Sequence, residues 1–270
     1  VPGLTSPDLE ILFRITAAAH AAVIQASSSP HRADVVAMGA DGSPTEELDR
    51  VAEAEILSVL DREAVDWDFL SEEIGHLRRG GDRTLVVDPI DGTTNALRGL
   101  PFAAISLALG RDHLDGIETG VVYDFYRGTT YWATRGGGAF CDGRQIHVRP
   151  WNAKTELLFA NLGRYASDRT VEMSRQARRI RALGCASLEI AKVAQGTADG
   201  YIFENVPASR NLRATDIAAG YRILVEAGGG ISDFEGHPIG TFPLTVQERT
   251  SVLAWGDVEF LKARAPRGPP

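Results

Sequence analysis

A layered α/β fold, with sheets sandwiched between helices, is what this sequence predicts. Three observations point there. Apolar residues recur at helical spacing in two early segments, 7–26 and 45–62. Strand-like runs then follow one another between residues 67 and 135. From residue 156 onward strands and helices alternate.

In the first helix Leu9, Ile11, Leu12, Ile15 and Ala19 share a face, and Ser6-Pro7 supplies a cap and a first-turn proline. The segment "HRADVVAMGADGSP" (31–44) is rich in Gly, Pro and Asp and predicts a loop. The second helix turns Leu48, Val51, Ala52, Ile56 and Leu60 inward, with Asp49 and Glu53 as an i, i+4 pair on its polar face. Strands are expected at 67–73, 84–88, 103–110 and 118–125, the last in a hairpin with 129–135; "GGGAFCDG" (136–143) predicts a glycine-rich turn. Beyond it come strands at 156–162, 199–204, 229–233 and 250–255, with helices at 170–179, 186–195 and 214–227. The tail "ARAPRGPP" predicts disorder. The expected organisation is an N-terminal half (1–150), a C-terminal half (151–265) and a disordered end (266–270).

The chain has 270 residues, enough to bury a full core. A formal net charge of −8 argues against nucleic-acid binding, which needs a dominant basic surface. Two cysteines, Cys141 and Cys185, are too few for a disulfide scaffold and lack metal-ligand spacing, so a reducing, cytoplasmic setting is expected. The run "AAAHAAVI" (17–24) is too short to span a bilayer, and no secretory leader pattern precedes it. No membrane association is expected.

The stretch "LVVDPIDGTTN" (85–95) carries the chemistry. Asp88 ends an apolar run, at the strand edge where α/β proteins gather ligands. Pro89 disfavours helix at Asp88 and predicts a turn that brings Asp88 and Asp91 to one side. Two carboxylates held that close repel unless one is protonated or a cation lies between them, and a hard divalent ion such as Mg²⁺ takes oxygen ligands. Gly92-Thr93-Thr94-Asn95 then turns backbone N–H groups outward, an anion site. Alone, this D-x-x-D leaves open a capped strand turn with two solvated aspartates. An aspartyl-phosphate enzyme would need D-x-D, and an EF-hand would need alternating acids with a terminal Glu; neither spacing is present. Further acids stand at element ends: Glu72-Glu73 closing strand 67–73, and Asp216 just inside the helix at 214.

Taken together, "SEE" (71–73), "DPIDGTTN" (88–95) and "TDIAAGYRILVEAGG" (215–229) resemble the inositol monophosphatase family in order and spacing. The likeness extends over "ELDRVAEAEI" (47–56) and "ALGCASLEIAKVAQGTADGY" (182–201), nearly the whole chain. It implies a five-layered αβαβα sandwich of the sugar-phosphatase type, and a lithium-sensitive, Mg²⁺-dependent phosphatase with roughly two to three ions, Mn²⁺ substituting. Glu72, Asp88, the Ile90 carbonyl, Asp91 and Asp216 are the implied metal ligands. Gly92 and Thr93 would hold the scissile phosphate, with Asp91 alongside. Thr93 with Asp49 would orient and deprotonate the attacking water, together with Glu72, while the 31–44 segment folds over the site. Gly184, Cys185 and Ala186 would line the substrate, with Cys185 where relatives carry a small hydroxyl. Relatives of this type imply a homodimer.

The expected substrate is a small sugar or inositol phosphate. Thr215 stands where the family usually has Trp, and "NLRATDIAAG" is similar to archaeal-type members acting on both inositol-1-phosphate and fructose-1,6-bisphosphate. Six arginines crowd residues 164–181; most suit a solvated face, whereas Arg169 and Arg181, with Tyr165 nearby, are the candidates for a second phosphate. Two alternatives are 3'-phosphoadenosine 5'-phosphate hydrolysis and a catalytically silent metal- or phosphate-binding regulator.

Overall fold

A computed structural model of the chain describes residues 6–40, 42, 44–164, 166–206 and 212–264. The elements of the first part are α1 (Pro7–Ser27), β1 (Val35–Met38), β2 (Pro44–Glu46), α2 (Glu47–Arg62), β3 (Asp68–Ser71), β4 (Gly75–Leu77), β5 (Thr84–Asp91) and α3 (Thr93–Arg98). β6 (Ala104–Gly110), β7 (Ile117–Asp124), β8 (Thr129–Thr134), β9 (Gly138–Cys141) and β10 (Arg144–Ile146) follow. The remainder comprises β11 (Leu158–Ala160), α4 (Asp168–Gln176), β12 (Ile180–Arg181), α5 (Ala186–Ala194), β13 (Gly200–Phe203), α6 (Ala214–Glu226), β14 (Gly230–Ser232), β15 (Val252–Trp255) and α7 (Val258–Arg264).

Two sheets carry the architecture. Eight strands run in the order β10-β9-β8-β7-β6-β5-β3-β4, and five in the order β12-β11-β13-β15-β14. Three apolar layers glue them to helices. Leu9, Leu12 and Ile15 of α1 and Ile56 and Leu60 of α2 bury against Leu85, Val87 and Leu107 on the outer face of the larger sheet. α5 and α6 lie between the sheets, with Leu188, Ile190, Ile217 and Ile223 in the largest cluster. Phe260 of α7 and Met173 of α4 cover the far face of the smaller sheet, against Leu158, Ile202 and Leu253. Helix, sheet, helix, sheet, helix: the five-layered sandwich implied by the resemblance is the fold.

Local chemistry explains the helix starts. The Ser6 hydroxyl accepts the Leu9 N–H at 3.2 Å with Pro7 in the first turn, and the Ser167 hydroxyl accepts the Thr170 N–H at 2.9 Å. By length and composition α1 suffices to cross a membrane; its stripe of Leu9, Leu12, Ile15, Ala19 and Val23 is buried in the protein core.

Several expectations need correction. Residues 31–44 are not all loop, because Val35–Met38 and Pro44–Glu46 pair as an antiparallel ribbon; the four residues of β1 are exposed, so no buried alternation marked it. The glycine-rich 136–143 segment contains β9, whose Phe140 stacks on Trp132 at 4.3 Å. α2 starts at Glu47, since Thr45 and Glu46 belong to β2. Asp49 and Glu53 are buried, not on a solvated face. The short elements β4, α3, β10, β12 and α7 escape period counting. Of the tail, Ala263 and Arg264 close α7, and the rest lies outside the described residues.

Candidate active site

Strand β5 does not stop at Asp88. It continues to Asp91, and its pairing with β6 shifts register: Asp88 faces Ser106 while Asp91 faces Ala104. Three steps on one strand oppose two on the other, which is a β-bulge. Residues three apart on a regular strand point to opposite faces. The extra residue resets that alternation and returns Asp91 to the side of Asp88. Pro89, which has no N–H to give a ladder, sits inside the bulge. Proline therefore acts by bulging the strand, where a strand-ending turn was expected.

Five acids from four elements meet around this bulge. Asp49 comes from the first turn of α2, Glu72 from the turn after β3, Asp88 and Asp91 from β5, and Asp216 from the first turn of α6. Burial and one another's charges act on them together. Burial, then the charges of Glu72, Asp91, Asp216 and Asp49, push the Asp88 carboxyl well above its ordinary range. Glu72 is raised by burial and by Asp216, Glu73, Asp49 and Asp91. Burial and the neighbouring Glu73 and Glu46 do the same to Asp49. Asp91 is raised only to about 6, because the Ser187 hydroxyl opposes its burial.

Hydrogen bonds fix each side chain. Asp91 accepts the Ser187 N–H and hydroxyl at 2.6 Å each and the Ala186 N–H at 3.2 Å, so it is tied to the start of α5. Asp88 accepts the Ile90 N–H at 3.1 Å. Asp216 reaches back to the Arg213 N–H at 2.6 Å, as a third-position acid does in capping a helix. The Arg213 guanidinium lies 2.8 Å from Glu72. Thr93 Oγ1 lies 3.2 Å from Asp49 Oδ1 and 2.8 Å from the Ile90 carbonyl. Glu73 accepts from the Thr45 hydroxyl.

Gly92 adopts φ +86° and starts α3, whose first amides have no partner within the helix. A Cβ there would meet the Gly184 carbonyl at 3.1 Å, the Phe102 carbonyl at 3.1 Å and Cys185 Cβ at 3.3 Å. Residues 92 and 184–185 thus form two walls of one crevice. Asn95 staples them, its side-chain amide donating to the Phe102 carbonyl at 2.8 Å and the Leu183 carbonyl at 2.7 Å. Glu189 holds the second wall from below by accepting the Leu183 N–H at 3.1 Å. Cys185 is buried, and burial raises its thiol pKa, so it stays a thiol.

Asp49, Glu72, Asp88, Ile90, Asp91, Gly92, Thr93, Gly184, Cys185, Ala186 and Asp216 are thus brought together. Arg169 is held elsewhere: its guanidinium pairs with Glu204 at 2.9 Å and Glu235 at 2.7 Å, donates to the Phe234 carbonyl, and lies over the Phe234 ring. Arg181 is exposed and donates to the Ile180 carbonyl. Tyr165 lies outside the described residues. Sequence reasoning missed Ser187, Asn95, Glu189 and Arg213, although Asn95 ends the quoted stretch and Ser187 follows Ala186 directly.

The donor set fits a hard divalent cation. All the donors are oxygens, burial and mutual repulsion raise the carboxyls, and Asp49 Oδ2 is buried with no hydrogen-bond partner among the described residues. As placed, however, no three His, Cys, Asp or Glu side chains among the described residues form a ready-made ion shell. Glu72 is turned to Arg213, and both Asp91 oxygens to α5.

Buried acids at a bulged strand, next to a helix start, suit phosphate chemistry; on this sandwich they define a hydrolase of the sugar-phosphatase class. Residues 6–263 match the inositol monophosphatase family, and the chain belongs to that family. It is a phosphoric monoester hydrolase. The fructose-1,6-bisphosphatase/inositol-1-monophosphatase of Methanothermobacter thermautotrophicus is 37% identical over 243 residues, covering 84% of each chain. A bifunctional NADP phosphatase/NAD kinase of Methanococcus maripaludis is 34% identical over 244 residues, 82% of this chain and 42% of that one. Among solved structures, a Pyrococcus horikoshii protein with similarities for inositol-1 monophosphatase superposes with a TM-score of 0.80 at 27% identity, covering 96% of this chain and 97% of that one.

Proposed function

We propose that this phosphatase hydrolyses inositol-1-phosphate and fructose-1,6-bisphosphate by direct attack of water, with Mg²⁺ held by Glu72, Asp88, the Ile90 carbonyl, Asp91 and Asp216. The observation that carries this reading is the Thr93 hydroxyl, poised between Asp49 and the Ile90 carbonyl at the first residue of α3. When bound, the divalent ion supplies Lewis acidity and neutralises charge on the phosphoryl group.

The chain's own residues do the rest. The amides at the start of α3 receive the phosphoryl oxygens, and Gly92 lets the backbone approach because no side chain intervenes. Thr93 Oγ1 accepts a water proton while passing its own to Asp49. Burial raises the Asp49 carboxyl above its ordinary range, which makes it a stronger proton acceptor than a solvated aspartate. Glu72 would act with Thr93 and Asp49 in orienting the water. The wall at 184–186 would contact the organic part of the substrate, with the buried Cys185 where relatives carry a small hydroxyl. Arg181 remains the candidate for a second phosphate, being exposed and three residues ahead of that wall in the sequence.

Phosphate release with Mg²⁺ from inositol-1-phosphate, fructose-1,6-bisphosphate, NADP and 3'-phosphoadenosine 5'-phosphate tests this. NADP is included because the Methanococcus maripaludis relative is named for it. Turnover of either nucleotide without the sugar phosphates would replace the substrate assignment. Release dependent on a covalent phosphoenzyme would remove the mechanism.

A further inference from the structure

One buried arginine touches two of the acids assigned to the metal, Glu72 with its side chain and Asp216 with its backbone. Arg213 caps α6 with 7% of its surface exposed, its Nη1 2.8 Å from Glu72 Oε2 and its backbone N–H 2.6 Å from Asp216 Oδ2. Its guanidinium is permanently charged and rigid, with donors in a fork suited to a carboxylate. Arg249 is also within electrostatic reach of Asp216, but donates to the Val246 and Glu248 carbonyls. The buried Arg222 is directed to Glu226 and the Ile117 carbonyl. Among the described residues Arg213 is therefore the guanidinium that pairs with this acid cluster, and Glu72 is the acid it draws off. That engagement matches the lack of a ready-made ion shell among the described residues.

Resting on the metal reading above, we propose that Arg213 is an internal counter-ion that competes with the divalent cation for Glu72. Without metal the guanidinium neutralises Glu72 and keeps the acid pocket folded. On loading, Glu72 exchanges Arg213 for the ion, so the strength of this pair sets the metal concentration at which the site fills. The backbone contact to Asp216 survives any side-chain change, so substitution at 213 leaves the helix cap in place while removing the guanidinium from Glu72 and its charge from the neighbourhood of Asp216. Arg213 is a positioning residue in this role, acting through Glu72.

Arg213→Met separates the two halves of the proposal. Titration with Mn²⁺, followed by calorimetry, should give a dissociation constant about tenfold lower than wild type, equivalent to about 1.4 kcal/mol. The melting temperature should fall by several degrees in EDTA and by clearly less in saturating Mn²⁺. An unchanged or weaker Mn²⁺ affinity, or an equal fall in both buffers, overturns the proposal. Should the variant not fold, a Mn²⁺-soaked crystal of the wild-type chain decides: Glu72 on the ion and parted from Arg213 is expected, and an ion on Glu72 with the pair still at hydrogen-bond distance overturns it. A wild-type protein that binds no Mn²⁺ at these acids defeats the metal reading itself, a result distinct from either.

Discussion

Thr93 Oγ1 lies 3.2 Å from Asp49 Oδ1, a contact between residues 44 positions apart that joins the first turns of two different helices. Each residue alone is unremarkable. Together they fit the proposed proton path, whose far end, Asp49 Oδ2, is buried without a hydrogen-bond partner among the described residues.

Replacing either end should break that path. Asp49→Asn and Thr93→Ala are each expected to lower kcat by about a hundredfold to ten-thousandfold, the usual share of a positioned proton acceptor. Because the two act as one unit, the double variant should lose little more than the worse single variant. Single-turnover phosphate release measures this, and fully additive losses would assign the residues separate tasks.

Gly92 carries two demands, a positive φ and a crowded surround. Gly99 offers the comparison, with φ +71° and nothing within 4 Å of an added Cβ. Gly99→Ala should show backbone strain alone, a loss of about 1 kcal/mol. Gly92→Ala should lose more, since the 184–185 wall has to retreat, and KM should rise with it. Urea unfolding of the two variants tests the difference; equal losses would mean the crevice walls are soft.

Stability should depend on pH in an unusual direction when metal is removed. Asp91, Glu73 and Glu189 have carboxyls raised to about 6, about 7 and about 8, burial being the first cause in each. Unfolded carboxyls titrate near about 4. The folded protein thus holds protons that the unfolded chain has released, so the contribution is complete below about pH 4 and is lost as pH rises through the folded values. In EDTA the urea midpoint should fall from about pH 5 to about pH 8, and Glu189→Gln should flatten its upper part. Saturating Mg²⁺ should suppress the fall, because cation binding favours the ionised acids. A metal-free midpoint that climbs over this range would contradict the burial argument.

Arg169 and Arg181 should part company. Arg169→Ala breaks partly exposed ion pairs to Glu204 and Glu235 and is expected to lower stability by about 1 kcal/mol or less. Its KM for fructose-1,6-bisphosphate should stay within about twofold, below the 1.4 kcal/mol that a tenfold change represents. Arg181→Ala should raise KM for the bisphosphate and spare the monophosphate. A bisphosphate-specific rise in Arg169→Ala would restore that residue to the substrate.

How far the site could be read in advance follows the range of the interactions. The small-residue stretch 92–95 and the acids beside it are contiguous, so their chemistry was legible. The bulge at Asp88–Asp91 was only half legible: proline signalled an irregularity, but its kind depended on the pairing with β6. Ser187 was invisible because a serine in an apolar helix carries no signal of its own until Asp91 is placed against it.

By itself the sequence determined which atoms were available: hard oxygen donors at element ends, a glycine turn with free amides, and apolar periods long enough to specify the major helices and strands. Those properties arise from neighbours along the chain. Tertiary packing decided the pairings, such as Glu72 with Arg213 across 141 residues, and Arg169 with Glu204 and Glu235 instead of a free surface. A side chain's partner depends on which elements are pressed together, and that is settled by burying the three apolar layers of the sandwich.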